Sequence, residues 1–517
     1  MLRFERYRGS DLSDSLKSFL VQAKRAADDA PEHMTTAARP IRVLLLQGPT
    51  IDGVQSFLPQ VEEGGEGIGF KPPLGILYIA TNIAKNSPHT VEVIDTIAEQ
   101  LSFDEIVARA VAFQPDVVGI SAWTDFWYPA YRTGELIKEA LPDTHLCYGG
   151  PHLGIYPQET LDVPFVDSVV CGDGETPFLY LCNMVSHGVT DNSMDGLHFK
   201  EHGVKPLANV FFVEGDLDAL PQPDRTLLPI NDYSSVLGKR KFVTTMITSR
   251  GCPHRCTFCK LNFQKNLARS AESVVSEFRE IHALGIREVE IYDDTFTWSR
   301  KRLREICEAL IDADLGVEWA IRDRVSSASV DDDLLELMYQ AGCRRIHFGI
   351  ESGVQHVIDG MKKKITLDQA RDAVKLAKNA GMTVLTYFMF GNLNESKADM
   401  YQTIEFAKEL DADYAQFSIT IPYAGTEMYT DGLAMGVIKR DYWGEYAKAP
   451  VPNFLPPEII ESHASLEELK QIRNHAVQKF YFRPRYIARE MLKLGSFHEF
   501  VRKAKMGLQL AESVYVK

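Results

Sequence analysis

Hydrophobic and polar positions alternate along the chain with two periods, and this pattern predicts an α/β protein. Between residues 41 and 170, short apolar runs alternate with stretches whose apolar positions recur at helical spacing. Nearly continuous apolar strands between helices favour a parallel sheet covered on both faces. The predicted strands are 41–46, 90–95, 116–121, 145–148 and 168–170, and the predicted helices are 77–84, 103–112 and 130–141.

The second half of the chain shows the alternation again, in six consecutive units. Six β/α units predict an incomplete (β/α)6 barrel, and barrel active sites lie at the carboxyl ends of the strands. The predicted strands are 242–248, 288–292, 317–320, 345–349, 383–390 and 414–421. The predicted helices are 270–284, 300–313, 334–341, 367–380 and 397–410.

Interruptions of the pattern divide the chain into five predicted parts. These are an N-terminal helical extension (1–40), a doubly wound Rossmann-like domain (41–190), a linker (191–240), the barrel (241–430) and a C-terminal helical domain (431–517). Pro221, Pro223 and Pro229 mark the linker. The aromatic and cationic stripe at 480–486 is expected to pack a terminal helix onto the barrel. Stacking of this stripe on a base or a tetrapyrrole is the alternative.

Composition and charge restrict the possible function classes. A chain of 517 residues with 45% hydrophobic and 25% charged residues is typical of a soluble globular protein of several domains. Its net charge of -15 argues against a nucleic-acid partner, which needs a basic surface. Because no apolar run approaches the about 20 residues of a membrane-spanning helix, and the N-terminus lacks the apolar core of a signal peptide, we expect a cytoplasmic protein without a membrane span.

Three of the eight cysteines lie together on the turn that leaves the first predicted barrel strand. Cys252, Cys256 and Cys259 are separated by three and two residues, a spacing that wraps one side of a small inorganic cluster. A 4Fe-4S cube needs a ligand on each iron, so three thiolates leave one iron open to a non-protein ligand. A zinc site with His254 as fourth ligand, or a redox switch, is the alternative. The other five cysteines are scattered singly along the chain. Eight cysteines in 517 residues are too few to favour a disulfide framework.

The Cys-x3-Cys-x2-Cys pattern, with Phe258 before the last cysteine, resembles the radical S-adenosylmethionine (SAM) superfamily. The resemblance implies that a 4Fe-4S cluster binds SAM through its open iron and that one-electron reduction cleaves SAM to a 5'-deoxyadenosyl radical. The electron would come from an external reductant of the flavodoxin or ferredoxin type. The implied SAM-binding residues, mostly at strand ends, are Phe258, Tyr292, Asp293, Arg324, Glu351 and Ser352. Ion pairing within the barrel is the alternative role for the charged ones.

Residues 41–185 resemble the cobalamin-binding domain that often precedes such a barrel. The resemblance rests on four turns that occur in this order along the chain, at 71–75, 121–124, 149–152 and 172–175. Ligands of doubly wound sheets bind at such strand ends. The implied cobalamin-binding residues are Pro72, Leu74, Gly75, Ser121, Thr124, Gly149, Gly150, Pro151, His152, Gly172, Gly174 and Glu175. The Asp-x-His-x-x-Gly motif is absent, which implies that no histidine of that motif coordinates cobalt. A doubly wound domain that binds a nucleotide, or no ligand, is the alternative.

Two later turns depart from the family pattern. Residues 391–396 stand where the family usually shows Gly-x-Pro-Gly-Glu-Thr, with Leu393 and Asn394 in place of the proline and the second glycine. Residues 423–426 resemble a Pro-Gly-Thr turn that has lost its proline. These departures weaken any transfer of SAM-contact roles to the two loops.

Together the resemblances imply a cobalamin-dependent radical SAM enzyme that methylates an unactivated carbon of a small-molecule substrate by means of methylcobalamin. A cyclase or rearrangement enzyme without methyl transfer is the alternative, since the architecture also resembles the anaerobic cyclase of chlorophyll synthesis. A tRNA-modifying radical SAM enzyme fits less well, because the chain offers neither further clustered cysteines nor a basic module. A non-enzymatic cobalamin carrier would not need the cysteine loop.

Overall fold

The chain forms two compact units. The computed structural model describes residues 31–49, 71–206, 210–235, 237–238, 242–260, 265–326, 331–454 and 463–492. The first unit contains Met1–Thr245 with Trp443–Phe454, and the second contains Met246–Tyr442 with Leu455–Lys517. The helix predicted within the N-terminal extension lies outside the described residues.

The first unit is built on a six-stranded sheet flanked by helices. Its strands are β1 (Arg42–Gln47), β2 (Thr90–Ile94), β3 (Val117–Ser121), β4 (His145–Gly149), β5 (Ser168–Val170) and β6 (Leu197–Phe199). Its helices include α1 (Glu32–Thr35), α2 (Leu74–Asn86), α3 (Phe103–Phe113), α4 (Trp127–Ala140), α5 (Pro157–Leu161) and α6 (Glu175–His187). Short 3-10 turns occur at Pro151–Gly154 and Arg225–Leu227.

The strand order of this sheet is β2-β1-β3-β4-β5-β6, and only β6 runs antiparallel to its neighbour. The order reverses between β1 and β3, and ligands of open α/β sheets bind at the carboxyl ends of the strands near such a reversal. Residues Val43–Leu46 of β1 are all buried, as expected for a strand covered on both faces. The predicted doubly wound fold of this part is confirmed.

The second six-stranded sheet forms the partial barrel, and it belongs to the second unit from Met246 onward. The strands of this part are β7 (Val243–Met246), β8 (Ser249–Arg250), β9 (Leu267–Ala268), β10 (Glu288–Ile291), β11 (Glu318–Arg324), β12 (Cys343–Glu351), β13 (Thr383–Phe390) and β14 (Tyr414–Ile419). Among the described residues up to Leu492, the α-helices that follow are α7 (Ala271–Ala283), α8 (Arg300–Ala313), α9 (Asp332–Gln340), α10 (Gln355–Gly360), α11 (Leu367–Asn379), α12 (Lys397–Leu410), α13 (Glu427–Ala434), α14 (Tyr442–Lys448), α15 (Leu466–Tyr481) and α16 (Pro484–Leu492).

The barrel sheet has the order β14-β13-β12-β11-β10-β7, while β8 and β9 form a separate antiparallel pair. From β10 to β14 all neighbours pair in parallel. Side chains of these strands alternate between two environments, as the two-residue period of a strand requires. Ile291, Ile321 and Phe348 belong to the apolar core that includes the helices, whereas the residues next to them point the other way, into the barrel lumen.

The C-terminal helices complete the apolar core of the second unit. Phe480 is fully buried in that core, the Tyr481 hydroxyl donates to the Ala415 carbonyl (2.8 Å), and the Tyr486 hydroxyl donates to the Asp413 carbonyl (2.8 Å). The stripe at 480–486 therefore packs the helices onto the barrel, as predicted. Within the part of the chain that the structure describes, no helix is long and apolar enough to cross a bilayer.

One segment of the predicted C-terminal domain packs elsewhere. Residues Trp443–Phe454 belong to the first unit. There the indole nitrogen of Trp127, at the start of α4, donates to the Ala447 carbonyl (3.1 Å), and the Tyr128 amide donates to the Tyr446 hydroxyl (2.9 Å). Large aromatic side chains bury this segment, a tertiary effect that local sequence pattern does not reveal.

Candidate active site

The cysteine loop begins directly after β8, at the carboxyl end of the first barrel strand. Gly251 has a φ of 84°, which lets the chain turn sharply into the loop, and its amide donates to the Asp294 carboxylate (2.8 Å). None of the three thiols is in a disulfide: Cys252 is buried, Cys256 is partly buried and Cys259 is exposed. The Thr295 hydroxyl donates to the Cys252 sulfur (3.1 Å). The loop thus presents three free thiols at the end of the barrel where active sites form.

Asp293 holds the start of this loop. Its carboxylate accepts hydrogen bonds of 2.6 Å from the Thr248 amide, the Thr248 hydroxyl and the Ser249 hydroxyl. Burial raises the pKa of Asp293, and the hydrogen bonds from Ser249 and Thr248 oppose this rise. Asp293 therefore joins the end of β10 to the segment between β7 and the first cysteine, so it positions the loop.

The loop suits a cluster better than a single metal ion. Each of the three sulfurs must lose its proton to bind metal, so thiol deprotonation and cluster binding are linked. Nowhere in the described ranges do three His, Cys, Asp or Glu side chains group around one ion position. A 4Fe-4S cube attaches each thiolate to a different iron and does not require such a group. His254 packs edge-on against Trp298, with ring centroids 5.9 Å apart.

A segment after α10 supports the loop from the other side. The Thr257 amide donates to the Met361 carbonyl (2.9 Å), and the ammonium of Lys363 lies 5.5 Å from the centre of the Phe258 ring. Lys363 is buried and forms an ion pair of 2.6 Å with Glu351. The sequence prediction included Phe258 and Glu351 but missed Lys363, because nothing local marks one lysine within a run of three as the buried one.

Glu351 has an unusual backbone at the end of β12. Its φ is 73°, and the register between β12 and β13 shifts between Gly349 and Glu351. A Cβ at Gly349 would lie 2.6 Å from a Glu351 carboxylate oxygen and 3.1 Å from the Lys363 ammonium. The missing side chain at Gly349 therefore provides the space for the ion pair. Backbone strain of this kind typically accompanies functional sites.

The other predicted SAM-binding residues differ in their surroundings. The Arg324 guanidinium, partly buried, donates to the Lys363 carbonyl. Ser352 is fully buried and its hydroxyl shares a hydrogen bond of 3.1 Å with the Thr403 hydroxyl of α12, which favours a structural role. The Tyr292 hydroxyl donates to Glu290 (3.1 Å) and the side chain lines the lumen. The structure thus groups Phe258, Arg324 and Glu351 around Lys363.

The turn at 391–396 is intact despite its departures from the family pattern. Gly391 has a φ of 87°, and one carboxylate oxygen of Glu395 accepts from the Gly391 amide (2.8 Å) and the Asn392 amide (3.0 Å). The other oxygen of Glu395 is buried without a partner in the described residues, and burial raises the pKa of Glu395 to about 7. Ser396 caps α12. A buried carboxyl therefore closes this turn at the end of β13.

In the first unit, two glycines let neighbouring strand ends approach closely. Gly150 has a φ of 95°, and a Cβ there would lie 2.7 Å from the Ala122 carbonyl and 2.9 Å from the Ser121 hydroxyl. Gly172 has a φ of 94°, and a Cβ there would lie 2.1 Å from the Phe212 carbonyl. Ser121 and Gly149 are paired residues at the ends of β3 and β4. The structure therefore brings these predicted cobalamin-binding residues to one edge of the sheet.

His152 is buried behind this edge. Its ring stacks on Trp127 with centroids 4.4 Å apart, and Nδ1 shares a hydrogen bond of 3.2 Å with the Thr124 hydroxyl. Burial lowers the pKa of His152 to about 3, so the ring is neutral. His152 and Thr124 join the turn that begins at Pro151 to the segment after β3, and Nε2 of His152 is buried without a hydrogen-bond partner among the described residues.

The remaining predicted residues flank the same sheet. Pro72 and Leu74 are buried, whereas Gly75, in the first turn of α2, faces open space. A Cβ at Gly174 would lie 2.8 Å from Ile79 of α2, so this glycine packs α6 against α2. The Glu175 carbonyl accepts from Asn82 (2.8 Å), which joins the same two helices. Trp123, which follows β3, is 55% exposed and is not among the predicted cobalamin-binding residues.

Two family models match the chain, the Radical SAM superfamily over residues 246–407 and the B12 binding domain over residues 69–181. An uncharacterised methyltransferase of Pyrococcus horikoshii is 32% identical over 479 residues, which cover 90% of this chain and 98% of that protein. The anaerobic magnesium-protoporphyrin IX monomethyl ester cyclase of Rubrivivax gelatinosus is 30% identical, over 72% of this chain and 68% of that protein.

Among solved structures, the radical SAM methyltransferase TsrM of Kitasatospora setae, with cobalamin and a [4Fe-4S] cluster bound, has a similar fold. The TM-score is 0.62 at 17% sequence identity, and the match covers 78% of this chain and 76% of that chain. The predicted order of a doubly wound domain followed by a partial barrel is thus found in a structure that carries both cofactors.

Proposed function

The chain belongs to the cobalamin-dependent radical SAM enzymes, and we propose that it methylates an unactivated carbon of a small-molecule substrate. The family supplies three cofactors: a 4Fe-4S cluster, SAM and cobalamin. The observation that carries the proposal is the similarity to a protein named as a methyltransferase over almost its whole length. Three free thiols on one loop and glycine turns on one sheet edge fit the two metal cofactors.

When bound, these cofactors supply hydrogen abstraction from an unactivated carbon and a transferable methyl group, chemistry that side chains alone do not provide. Cys252, Cys256 and Cys259 hold the cluster, and Asp293 and Thr295 hold their loop. The chain's own task is to place the target carbon and to exclude water.

We assign the SAM contacts to the group around Lys363. Arg324 is a planar cation suited to a carboxylate, Glu351 suits an ammonium or a hydroxyl, and Phe258 offers an apolar face. Ser352 and Tyr292 do not contact SAM in this proposal; they hold neighbouring side chains in place through their hydrogen bonds to Thr403 and Glu290. In the first unit Ser121, Gly149, Gly150 and Gly172 let backbone approach the corrin closely, and Gly75 leaves room beside them.

The finer assignments belong to the same proposal. The electron comes from a flavodoxin or ferredoxin type protein, because the cofactor chemistry begins with a one-electron reduction. The enzyme works in the cytoplasm, where a reducing environment keeps its free thiols available. The proposed domains keep the predicted boundaries near residues 190, 240 and 430, except that Trp443–Phe454 packs with the first unit.

A cyclase or rearrangement reaction is the second candidate. Similarity to the Rubrivivax gelatinosus cyclase extends over two thirds of that enzyme, so the same cofactor sites are compatible with ring formation. The two reactions differ in their by-products. Methyl transfer forms both S-adenosylhomocysteine and 5'-deoxyadenosine, whereas a radical cyclisation needs to form only 5'-deoxyadenosine.

The test uses anaerobically reconstituted enzyme with SAM that carries a trideuterated methyl group, a strong reductant, and a small-molecule extract of the source organism. Methyl transfer predicts both by-products and a new metabolite that carries the deuterated methyl group. Cys256→Ala should abolish all three products, because one cluster ligand is lost. Cys307→Ala, which alters a free buried cysteine in α8, should retain them.

Formation of 5'-deoxyadenosine without S-adenosylhomocysteine or a labelled metabolite would exclude methyl transfer and favour the cyclase. Absence of both by-products from enzyme with a full cluster, or zinc in place of iron and sulfide in the purified protein, would contradict the radical reaction itself.

A further inference from the structure

A layer of buried charges closes the lumen of the barrel below the cysteine loop. Arg345, on β12, pairs with Glu288 (3.1 Å) and Glu290 (2.8 Å) of β10, and all three side chains are buried. A buried cation between two carboxylates fixes the three side chains, because removal of Arg345 would leave two buried carboxylates without the partner that they share. We call Glu288, Glu290 and Arg345 the floor of the lumen.

The floor sets the proton position on a neighbouring histidine. The Arg345 Nε–H donates to Nε2 of His347 (3.1 Å), and a guanidinium has no acceptor, so Nε2 carries no proton. The proton of the neutral ring therefore lies on Nδ1, which donates to the Tyr387 hydroxyl oxygen (2.8 Å). Tyr387 thus acts as an acceptor in this bond and keeps its own hydroxyl hydrogen.

The cationic side chain of Arg322 lies at the same level of the lumen as His347. Arg322 of β11 is directly opposite His347 in the β11–β12 register, and its guanidinium stacks on the Tyr292 ring at 4.4 Å. Its nearest carboxylate, Glu290, is 3.8 Å away and already accepts from Arg345 and Tyr292. The Arg322 side chain is 44% exposed although its strand neighbours Ile321 and Asp323 are buried. A large part of the Arg322 side chain is therefore accessible to a ligand, and its guanidinium can act only as a donor.

We propose that Arg322 and Tyr387, with Tyr292 as a stacking platform, bind an anionic oxygen group of the substrate, a carboxylate or a phosphate. This site, which we call the anion site, deepens the proposed function, on which it rests: it assigns an anionic small molecule as substrate. A guanidinium fork and a hydroxyl donor suit the several lone pairs of such a group. The rigid floor keeps both donors in place, so the group enters a preorganised site and fixes the substrate in the barrel.

The test measures saturable binding of inorganic phosphate and of acetate to SAM-loaded holoenzyme, by the rise in unfolding temperature at constant ionic strength with chloride as reference. SAM is present so that its own carboxylate site is filled. A specific ligand stabilises with a saturating dependence on concentration, whereas general salt effects do not saturate. The tighter of the two probes identifies the phosphate or the carboxylate as the preferred group.

Arg322→Met should weaken binding of the preferred probe at least about tenfold, as expected for the loss of charge-assisted hydrogen bonds. Tyr387→Phe, which removes only the hydroxyl, should weaken it about threefold to tenfold. The matched control is Arg344→Met, since Arg344 also stacks on a tyrosine ring (Tyr339, 4.3 Å) but lies at the start of β12, where it donates to the Tyr339 and Cys343 carbonyls. That control should bind the probe like the wild type.

Saturable binding that Arg322→Met weakens and Arg344→Met retains supports the anion site. Wild-type enzyme without saturable binding of either probe, or equal binding by Arg322→Met, would overturn it. The proposed function is judged separately, by 5'-deoxyadenosine formation in the wild type. If that product is absent, the proposed function fails, while the anion titration still decides whether the lumen binds an anion.

Discussion

At the scale of single residues, the contact between Glu351 and Lys363 determines the geometry beside the cysteine loop. Both side chains are buried, and their pair occupies the space that a side chain at position 349 would fill. Lys363 also faces Phe258, the residue between Cys256 and Cys259 in the second gap of the loop. One ion pair thus connects the end of β12 with the cysteine loop.

Replacement of Lys363 by methionine should destabilise the protein and weaken SAM binding. The substitution leaves the Glu351 carboxylate buried without its partner, a loss of about 3 to 5 kcal/mol when a buried pair is broken on one side. Urea unfolding of the metal-free protein measures the stability, and equilibrium dialysis with the reconstituted enzyme measures SAM affinity.

Lys362→Met is the matched control, because Lys362 is exposed and pairs with Glu427 at the surface. Its stability should change by less than about 1 kcal/mol. The double variant Lys363→Met/Glu351→Gln should recover most of the lost stability, since neither charge is then left alone. Equal destabilisation by Lys362→Met and Lys363→Met would show that burial of the pair has no special effect.

At the scale of elements, the turn between β13 and α12 depends on a carboxyl group that is partly protonated near neutral pH. Burial raises the pKa of Glu395 to about 7, above the about 4.3 of an unfolded glutamate. The folded protein therefore binds more protons than the unfolded chain between these pH values, and stability falls as the pH rises through that window.

Glu395→Gln should remove this part of the pH dependence. Glutamine keeps an oxygen that accepts from the Gly391 and Asn392 amides and has no charge to bury. Between about pH 4.5 and about pH 7 the wild type should lose about 3 kcal/mol more than the variant, which follows from the shift of the Glu395 pKa. Urea midpoints at several pH values give the comparison.

Glu405→Gln in the same helix serves as control, because the Glu405 side chain is largely exposed and should leave the pH profile unchanged. A profile of Glu395→Gln that follows the wild type across this window would mean that Glu395 is ionised in the folded protein.

Elements with a clear hydrophobic period were predictable from the sequence, and elements that depend on distant partners were not. The strands β1 to β5 and β10 to β14 match predicted runs because one or both of their faces are apolar. Helix α6 was missed because its start, the Gly172 to Glu175 turn, was interpreted as a ligand loop. Helix α14 lies in the predicted C-terminal helical domain but packs in the first unit, where Trp127 of α4 donates to the Ala447 carbonyl.

The candidate site shows the same division between local and distant information. The cysteine spacing is local, so the sequence alone predicts Cys252, Cys256 and Cys259 as cluster ligands. Arg322 and Lys363 carry no local signal. They became recognisable only when strand register placed Arg322 opposite His347 and the chain reversal after α10 buried Lys363 against Glu351. Contacts between residues distant in sequence are set by the fold, which no short pattern encodes.

At the scale of the whole molecule, the two sets of cofactor residues lie in different units. All predicted cobalamin-binding residues belong to the first unit, and the three cysteines with the predicted SAM-binding residues belong to the second. Each unit has its own sheet and its own buried side chains. A substitution in one set of residues should therefore leave the cofactor of the other unit bound.

Cys256→Ala should lose iron and sulfide but retain corrinoid, whereas Gly150→Ala should lose corrinoid but retain iron and sulfide. An added Cβ at Gly150 meets the Ala122 carbonyl and separates the ends of β3 and β4. Gly188→Ala is the control for backbone strain, because Gly188 also has a positive φ (67°) but faces open space, so this variant should bind both cofactors. Iron, sulfide and corrinoid contents of the reconstituted proteins provide the measurement. Loss of both cofactors from either test variant would mean that the two sites form together, because a local change in one unit would then remove the ligand of the other.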